Sequence, residues 1–580
     1  MRDVVELSGS WRFQPDPFGE GEKLGYHCDS FDASSWRRTR VPSSFDAIVP
    51  ELATYEGPGW YRCNVSVPAD WRSRRVALRF EGANYRTRVW VNGEFVGENP
   101  DGFLPFEFPV HAHLRVGEKN TIAACVDSAR LPGEVPGRER GWRPFGGILR
   151  EVCLTATDPV HVSGLHVRAE PVPGGGSIVV DVGVTNGRDR PCRVEIEVVI
   201  ADSKGVETAR FGSGAFNLAP GKEETHTLEG RLKKARAWSP ESPVLYEARA
   251  TLRADGEEAD AVRMRFGLRR IETDGEALLL NGKPIVLRGF NRHEDSPKTG
   301  MCTDLDTVRS DILAMKDAGA NFVRLAHYPH HPGELDLCDE LGLLVLAEIP
   351  LYWWCGNKEG EELCVRKLEA ARRQLKRMIL RDRSHPCIVF WSVSNETGEQ
   401  YPEVREGNAT LIRDARQLDP TRLAVHVSDK WPDRAGFEED DVLCVNAYPS
   451  YNRRAGAANP SYDLAESTGF WQENLARLHA MYPGRPILVT EFGYVSIPGM
   501  MAGAIGEDTH ARVLKAEFEG MQAPYVCGTT VWCWADHPWP EEDFLKRMTT
   551  SPYGVVSRGR KPLLPLAAVR EMFLRRRKKG

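Results

Sequence analysis

The spacing of hydrophobic and polar positions changes along the chain, and its first part has a strand-like spacing. From residue 1 to about residue 157, short apolar runs such as "RVALRFEG" and "TIAACVDS" are separated by Gly, Pro and Asn. The segment "VNGEFVG" places an Asn-Gly pair between two such runs, and this pair favours the tight turn of a β-hairpin. Short strands with turns at this spacing predict a β-sandwich.

The same spacing continues over residues 158–268. The apolar runs there read "SIVVDVGVTN", "RVEIEVVI" and "YEARATLRA", and the stretch "PVPGGGS" reads as a turn between strands rather than a linker. Strands at this spacing over about 110 residues predict a second domain, an immunoglobulin-like β-sandwich.

Helical periodicity enters after residue 269. The segment "DLDTVRSDILAMKDAGA" places Val308, Ile312 and Met315 on one helical face, with Gly319 where the helix would stop. Such helices alternate with apolar runs that read "NFVRLA", "LLVLAEIP", "CIVFWSVSN", "VLCVNAY", "PILVTEFG" and "GTTVWCWAD". Because this alternation builds a parallel sheet covered on both faces, residues 269–580 are predicted to form an eight-stranded (β/α)8 TIM barrel.

Polar residues stand at the ends of these apolar runs. In a β/α barrel the carboxyl ends of the strands open on the face that carries the active site. The residues in these positions are His327, Glu348, Asn395, Glu396, Asn446, Tyr448, Glu491 and Asp536. A single polar strand end is as well explained by a cap or an ion pair, whereas the same feature on several strands indicates a catalytic face.

Two of these carboxylates, Glu396 and Glu491, have Trp391, Trp532 and Trp534 near them in sequence. Aromatic rings stack on the C–H faces of pyranose rings, and a carboxylate pair can cleave the acetal of a glycoside. One group must be protonated to expel the leaving group, and the other must be ionised to attack the anomeric carbon. The pattern therefore predicts sugar chemistry at the mouth of the barrel.

Longer motifs connect these residues to a known family. The motifs of the barrel region are "RGFNRHED", "RLAHYPHHP", "HPCIVFWSVSNE", "ILVTEFG" and "TVWCWAD", and those of the first region are "DGFLPFEF" and "PFGGILREVCL". Together they closely resemble glycoside hydrolase family 2, the group of β-galactosidases, β-glucuronidases and β-mannosidases. The resemblance spans nearly the whole chain and implies a jelly-roll-like sugar-binding β-sandwich (1–157), an immunoglobulin-like β-sandwich (158–268) and a catalytic TIM barrel (269–580).

The resemblance also implies roles for the two glutamates and their neighbours. Glu396 would be the acid/base and Glu491 the nucleophile of a retaining enzyme, with carboxyl groups about 5–5.5 Å apart. Asn395 would hydrogen-bond the 2-hydroxyl of the sugar. Tyr448 would hydrogen-bond the nucleophile and tune its basicity.

Further substrate-binding residues follow from the same resemblance. His327 and His293 would line the sugar subsite, and Trp532 would form its floor. Asp101, in the motif "DGFLPFEF", would belong to the sugar-binding surface of the first domain. For the histidines the alternative is a hydrogen-bonding residue at a loop base, and for Tyr448 and Trp532 it is core packing.

Two departures from the family pattern bear on metal and substrate. The large β-galactosidases hold magnesium with a Glu-x-His pair where this chain reads "AEIPLYWWCG", so we expect no metal and no cofactor. β-Glucuronidases bind the substrate carboxylate with an Asn-x-Lys motif, and this chain has Ser551 and Tyr553 at the matching positions. Arg547 remains where the family often has an arginine, and Arg558 and Lys561 are other cations that could pair with a carboxylate.

Composition excludes other classes of function. The 580 residues carry a net charge of −6, which argues against a nucleic-acid partner. Neither a transmembrane segment nor a leader is recognised in the sequence. The thirteen cysteines are scattered singly, so we expect reduced thiols and a cytoplasmic location. A leader that had been removed would leave the same sequence. The oligomeric state stays open, and a homo-oligomer is one of the alternatives.

Three functions therefore stay open, and the first is favoured. It is a retaining exo-β-glycosidase acting on a terminal neutral sugar, most plausibly a β-galactoside. The second is a β-glucuronidase or β-galacturonidase with an altered carboxylate clamp. The third is a carbohydrate-binding protein without catalysis, and the presence of both glutamates in their full motifs argues against it.

Overall fold

The first region folds into two antiparallel sheets that pack face to face. A computed structural model describes residues 2–138, 140–302, 304–450, 464–539 and 550–577. In strand order, the four-stranded sheet contains Asp3–Glu6, Val152–Thr157, Arg75–Phe80 and Phe106–Pro109. The six-stranded sheet contains Arg37–Val41, Gly9–Pro15, Pro58–Ser66, Lys119–Asp127, Arg86–Val91 and Glu94–Asn99.

The predicted hairpin of this sandwich is confirmed. Strands Arg86–Val91 and Glu94–Asn99 pair antiparallel around Asn92 and Gly93, whose φ angles are 52° and 87°. Both angles are positive, as the tightest hairpin turn requires, and Asn-Gly is the pair that adopts them most readily. Short helical turns lie at Phe45–Ile48, Pro50–Leu52 and Ala69–Trp71, and a two-residue bridge joins Ala83–Asn84 to Gly147–Ile148.

The second region is a smaller sandwich. In strand order, the three-stranded sheet contains Val160–Val172, Gly175–Asn186 and Glu223–Lys233. The four-stranded sheet contains Glu207–Leu218, Cys192–Asp202, Tyr246–Ala254 and Glu257–Phe266. Alternating residues of each strand, mostly Val, Ile and Ala, form one buried core between the sheets. This alternation is the period-two pattern of strands that bury one face, and it confirms the predicted immunoglobulin-like sandwich.

The third region closes into a parallel barrel of eight strands, as predicted. A small antiparallel sheet of Ile271–Asp274, Ala277–Leu280 and Lys283–Pro284 precedes it. The barrel strands, in chain and spatial order, are Leu287–Arg292, Phe322–Leu325, Leu344–Glu348, Ile388–Asn395, Leu423–Ser428, Leu443–Asn446, Ile487–Phe492 and Val526–Val531. The first and last strands pair, which closes the ring.

Helices cover the outside of the barrel. They run over Leu305–Asp317, Pro332–Leu341, Glu361–Asp382, Pro402–Leu418, Leu464–Met481, Glu507–Gly520 and Leu564–Arg577, with a short 3-10 turn at Gly356–Glu359. The first of them has the predicted buried face, and Asp304 caps it by accepting a hydrogen bond from the backbone N–H of Thr307. Within the described residues, the structure has no helix long and apolar enough to cross a membrane.

Two of the eight barrel strands were not predicted from the pattern of apolar runs. Strand Leu287–Arg292 carries Asn291 and Arg292, and strand Leu423–Ser428 carries His426, all of them buried. These polar side chains interrupt the run of hydrophobic residues by which the other six strands were recognised. Each buried polar group has a partner: Asn291 donates to the carbonyl of Thr490 in a barrel strand, Arg292 donates to Glu334 on a surrounding helix, and His426 pairs with Asp440.

Candidate active site

The two candidate catalytic carboxylates lie at the carboxyl-terminal face of the barrel. Glu491 is the fifth residue of strand Ile487–Phe492, and Glu396 directly follows strand Ile388–Asn395. Each is 4% exposed. Glu396 has a positive φ of 50°, a conformation that costs a non-glycine residue energy and that recurs at active sites. The parallel strands thus bring together two carboxylates that are 95 positions apart in sequence.

Arg324 connects the two catalytic segments. This fully buried guanidinium donates hydrogen bonds to Oε1 of Glu491 at 2.5 Å and to Oδ1 of Asn395 at 2.6 Å. It also forms a bidentate ion pair with Glu348 at the end of the third barrel strand, with contacts of 2.9 Å. The sequence prediction did not include Arg324, although an arginine inside the apolar run "NFVRLA" was a signal, since a buried charge requires partners.

Glu491 is held by one cation and one hydroxyl. Arg324 occupies its Oε1, and the hydroxyl of Tyr448 donates to its Oε2 at 2.5 Å. Burial and, to a smaller extent, the nearby carboxylate of Glu396 raise the pKa of Glu491, whereas Arg324 and Tyr448 lower it, and the net result is a pKa raised to about 7. Glu491 therefore titrates near neutral pH, and its two partners favour the ionised form.

Glu396 accepts hydrogen bonds on both of its oxygens. The indole Nε1 of Trp353 donates to Oε2 at 2.9 Å, and Nδ2 of Asn446 donates to Oε1 at 2.9 Å. The same Asn446 nitrogen lies 3.2 Å from Oδ1 of Asn395. A continuous set of hydrogen bonds therefore links Glu396, Asn446, Asn395, Arg324 and Glu491, and it fixes the orientation of the two carboxyl groups relative to each other.

A fully buried ionic network lies behind the Glu396 loop. Its carboxylates, Glu399 and Asp440, lie on opposite sides of His426, whose Nδ1 is 2.9 Å from Asp440 and whose Nε2 is 3.7 Å from Glu399. Burial lowers the pKa of His426, but the two carboxylates outweigh burial and raise it to about 10. His426 is therefore a cation at neutral pH, and it holds Glu399, three residues after Glu396, in place.

Histidine and aromatic rings form a wall beside the carboxylate pair. Trp532 stacks on His327 with ring centroids 5.2 Å apart and meets His293 edge-on at 5.4 Å. Trp142, from the first domain, stacks on the other side at 5.5 Å from His327. The structure therefore brings together all three residues predicted for this subsite. Trp142 was not predicted, because nothing in its local sequence indicates that a loop of the first domain reaches the barrel.

Both histidines of this wall are neutral. Burial lowers the pKa of His327 and places that of His293 well below the usual range. Nδ1 of His327 lies 2.8 Å from Oε1 of Glu348, and Nδ1 of His293 lies 3.1 Å from the hydroxyl of Tyr328. Nε2 of His293 is buried with no hydrogen-bond partner among the described residues.

Asp101 does not join this cluster. Asp101 is 1% exposed and forms ion pairs with Arg373 at 2.8 Å and Arg377 at 2.7 Å, both on helix Glu361–Asp382 of the barrel. Its carboxylate thus joins the first domain to the outside of the barrel, and the arginines occupy both oxygens. Arg547 lies outside the described residues.

The segment after the third barrel strand has no Glu-x-His pair. Tyr352 packs against His327, and Trp354 is buried against the barrel core. Elsewhere in the described chain, donor atoms of Asp339, His385 and Cys387 lie within 4.8 Å of one another. The Asp339 carboxylate already pairs with Nδ1 of His385 at 2.7 Å and the backbone N–H of Cys387 at 2.9 Å, as in a structural hydrogen-bond network.

The residues that replace the Asn-x-Lys motif lie beside the site. Tyr553 is 9% exposed and meets the ring of Tyr448 edge-on, with centroids 5.6 Å apart. Ser551 is buried in a short strand that pairs with His537. Arg558 forms a bidentate ion pair with Asp295, at 2.7 and 2.9 Å, so its charge is already matched.

Family models match the chain in three consecutive parts. Residues 22–158 match "Glycosyl hydrolases family 2, sugar binding domain", and residues 160–269 match "Glycosyl hydrolases family 2". Residues 271–560 match "Glycosyl hydrolases family 2, TIM barrel domain".

Individual proteins extend the likeness over nearly the full length. A β-glucuronidase of Paenibacillus borealis is 27% identical over 97% of this chain and 95% of its own length. A β-galactosidase of Thermoanaerobacter pseudethanolicus is 30% identical over 92% of this chain and 67% of its own length. Among solved structures, a β-D-glucuronidase of Dictyoglomus thermophilum has a TM-score of 0.85 at 25% identity, covering 99% of this chain and 97% of its own.

Proposed function

The chain belongs to glycosyl hydrolase family 2 and is a glycoside hydrolase, and we propose that it removes a terminal neutral β-linked sugar with retention of configuration. The observation that carries this proposal is the hydrogen-bonded arrangement that runs from Glu396 through Asn446, Asn395 and Arg324 to Glu491. It presents two carboxyl groups in different environments at the mouth of the barrel. Double displacement needs this difference, because one group must be ionised while the other is protonated.

Glu491 is the nucleophile of this proposal. Its ion pair with Arg324 and its hydrogen bond from Tyr448 stabilise the ionised form that attacks the anomeric carbon. Glu396 donates a proton to the leaving oxygen in the first step and takes a proton from water in the second. Its bonds from Trp353 and Asn446 hold the carboxyl group in place for both steps.

Asn395 is the proposed donor to the sugar 2-hydroxyl. Its Oδ1 already accepts hydrogen bonds from Arg324 at 2.6 Å and Asn446 at 3.2 Å. Those two bonds determine which way the amide is turned, so Nδ2 is the end that faces a substrate. A donor fixed in this way needs little reorganisation as the transition state forms.

The sugar-ring subsite is formed by His327, His293 and Trp532. The neutral histidines offer hydrogen bonds without a net charge, and Trp532 offers a ring face to the C–H groups of a pyranose. Such walls suit hydroxyl groups. A buried carboxylate on the substrate would instead need a cation to offset its desolvation.

The choice between a neutral sugar and a uronate rests on the Tyr553 region. Tyr553 and Ser551 supply a ring, two hydroxyls and no positive charge, and the charge of Arg558 is matched by Asp295. These features support a neutral sugar, with a β-galactoside first. The second candidate is a β-glucuronide or β-galacturonide, which the names of the β-glucuronidase relatives favour. It would need a cation for the substrate carboxylate, such as Arg547, which lies outside the described residues, or Lys561.

A panel of nitrophenyl glycosides tests the sugar. It covers both anomers, neutral hexoses and the matching uronates. We expect kcat/KM for the β-galactoside to exceed that for the β-glucuronide at least about tenfold, because one charge-assisted hydrogen bond is worth roughly 1.5–3 kcal/mol. A preference for either uronide would contradict the neutral-sugar proposal, and loss of that preference in Arg547→Ala would support an arginine clamp.

Labelling and stereochemistry test the mechanism. A mechanism-based fluorosugar is expected to label Glu491, and proton NMR of the first product is expected to show the β anomer. Glu396→Gln is expected to lower turnover about 10²–10⁴-fold, and least on substrates with good leaving groups. Labelling of a different carboxylate would overturn the assignment, and an α product would overturn retention.

A further inference from the structure

A buried asparagine on a surrounding helix joins the two sides of the turn formed by Asn395 and Glu396. Asn408 is 1% exposed, and its Oδ1 accepts a hydrogen bond from the hydroxyl of Ser394 at 2.9 Å. Its Nδ2 donates a hydrogen bond to the hydroxyl of Thr397, also at 2.9 Å. One carboxamide therefore holds the residue before the turn and the residue after it.

The backbone at this turn departs from regular strand geometry. The pairing with strand Leu423–Ser428 shifts register between Ser392 and Asn395, and Glu396 then has a φ of 50°. A non-glycine residue keeps such a conformation only where the surrounding structure imposes it. The Asn408 carboxamide spans the positions at which the conformation changes, so it is part of what imposes it.

A glycine allows the helix of Asn408 to pack close to this turn. In helix Pro402–Leu418, a Cβ atom on Gly407 would lie 2.5 Å from Cη2 of the buried Trp354, so a larger residue would push the helix away from the ring. The carbonyl of Trp354 accepts a hydrogen bond from the backbone N–H of Gly398 at 2.7 Å. The helix, the ring and the segment after the turn therefore pack together, which places Asn408 within reach of the strand end.

A carboxylate sets the direction of these hydrogen bonds. The Thr397 hydroxyl donates to Oε1 of Glu399 at 3.2 Å, and Ser428 donates to the other oxygen of Glu399. Because an ionised carboxylate only accepts, Thr397 gives its single proton to Glu399 and must accept from Asn408. That requirement turns Nδ2 of Asn408 toward Thr397 and Oδ1 toward Ser394. Asparagine supplies the one donor and the one acceptor that this position needs, whereas leucine, of similar size, supplies neither.

We propose that Asn408 is a positioning residue for the proton transfer that Glu396 performs. The inference rests on the proposed function, in which Glu396 is the acid/base, and adds a residue that acts through it. By holding both sides of the turn, Asn408 keeps the Glu396 carboxyl group directed at the oxygen of the leaving group. Proton transfer needs the acid within hydrogen-bond distance of that oxygen, so a small displacement of the turn lowers its rate.

The experiment compares two aryl glycosides of the sugar that the glycoside panel identifies. Departure of phenolate needs a proton from Glu396, whereas dinitrophenolate departs without one. Asn408→Leu removes both hydrogen bonds and keeps the size of the side chain. In this variant, the ratio of kcat/KM for the phenyl glycoside to that for the dinitrophenyl glycoside is expected to fall about tenfold or more, a part of the factor of about 10²–10⁴ that a positioned acid contributes.

Ser394→Ala removes only one of the two hydrogen bonds. It is expected to lower the ratio in the same direction by a smaller factor, and it decides the test if Asn408→Leu does not fold. A purely structural loss would lower the amount of folded enzyme and reduce both rates equally, so the ratio separates positioning from stability.

Asn321→Leu is the matched control. Asn321 is another buried asparagine that joins two groups, because it accepts from the backbone N–H of Arg288 at 2.8 Å and donates to the carbonyl of Val286 at 3.0 Å. These groups lie where the first two barrel strands begin, at the end of the barrel opposite to the catalytic face. Its loss is expected to lower stability and to leave the ratio unchanged.

An unchanged ratio in both Asn408→Leu and Ser394→Ala would overturn the inference. A fall of the same size in Asn321→Leu would also overturn it, because the effect would then come from a general loosening of the barrel. Glu396→Gln tests the proposed function separately. If that variant does not lower the ratio, the assignment of Glu396 as the acid/base fails, whatever the result for Asn408.

Discussion

Replacing Tyr448 with phenylalanine tests how the nucleophile is kept ionised. The Tyr448 hydroxyl donates to Oε2 of Glu491 at 2.5 Å in a buried site, and this bond favours the carboxylate over the carboxylic acid. In Tyr448→Phe the ring remains and the donor is lost. Arg324 still occupies the other oxygen, so the fold of the site should persist while the pKa of Glu491 rises.

The size of the rise follows from the strength of the bond. A hydrogen bond to a charged group is worth about 1.5–3 kcal/mol, and one pKa unit corresponds to about 1.4 kcal/mol. The pKa of Glu491 is about 7 with the Tyr448 bond in place, so the variant should titrate about one to two units higher. At pH 6 the ionised fraction, and with it the rate of attack, should therefore fall about 10- to 100-fold.

The assay is the rate of inactivation by a 2-fluoro glycoside with a dinitrophenolate leaving group, measured between pH 5 and pH 10. Such a leaving group needs no proton from Glu396, so the rate follows the ionisation of Glu491 alone. The midpoint is expected near 7 in the wild type and higher in Tyr448→Phe. Tyr494→Phe is the control, since the Tyr494 hydroxyl donates to the carbonyl of Ala504. A midpoint that stays in place or moves down in Tyr448→Phe would refute the reasoning.

Three further predictions concern metal, domain contact and pH. Exhaustive dialysis against EDTA is expected to leave activity unchanged, because the segment "AEIPLYWWCG" contains no Glu-x-His pair; a loss that magnesium restores would contradict this. Asp101→Asn is expected to lower the free energy of unfolding by about 2–3 kcal/mol in denaturant titrations, since two arginines lose a buried partner. Glu107→Gln, which removes a more exposed ion pair with Arg75, is the control and is expected to cost less than about 1 kcal/mol. The folded pKa of His426, about 10, lies above its unfolded value of about 6.5, so its stabilisation is complete below pH 6.5 and is lost as the pH rises toward 10. The stability difference between wild type and His426→Gln should shrink over that interval, and a difference independent of pH would show that His426 is neutral.

Most of the fold could be predicted because each domain repeats one pattern: strand-like alternation in the two sandwiches, and alternating apolar strands and amphipathic helices in the barrel. The hairpin at Asn92 and Gly93 is a local feature, and so is the helix that ends before Gly319. The two missed barrel strands fail for a physical reason, since Asn291 and His426 are buried among partners that only the closed barrel supplies. A polar residue in a strand gives the same local pattern whether it is buried with partners or exposed.

The catalytic pair could be predicted because position on a barrel strand carries functional meaning. Glu396 and Glu491 stand at carboxyl-terminal strand ends, where barrel enzymes place their chemistry. Trp142 could not be predicted, because its contact with His327 joins two domains and depends on how they pack. The catalytic groups can therefore be recognised from the local sequence, whereas the walls around them depend on contacts between residues far apart in the chain.

The pattern of apolar strands did not predict that Arg324 pairs with two carboxylates of the site. Its guanidinium serves two carboxylates, and Glu348 takes the larger share, with contacts from two of its nitrogens, while Glu491 receives one bond. Arg324, with hydrogen bonds from His327 and Ser392, outweighs the burial of Glu348, whose pKa is lowered, but Arg324 does not outweigh the burial of Glu491. This division explains why the pKa of Glu491 stays raised to about 7 despite an ion pair at 2.5 Å. The hydrogen bond from the Tyr448 hydroxyl is therefore needed, in addition to Arg324, to stabilise the ionised form of Glu491.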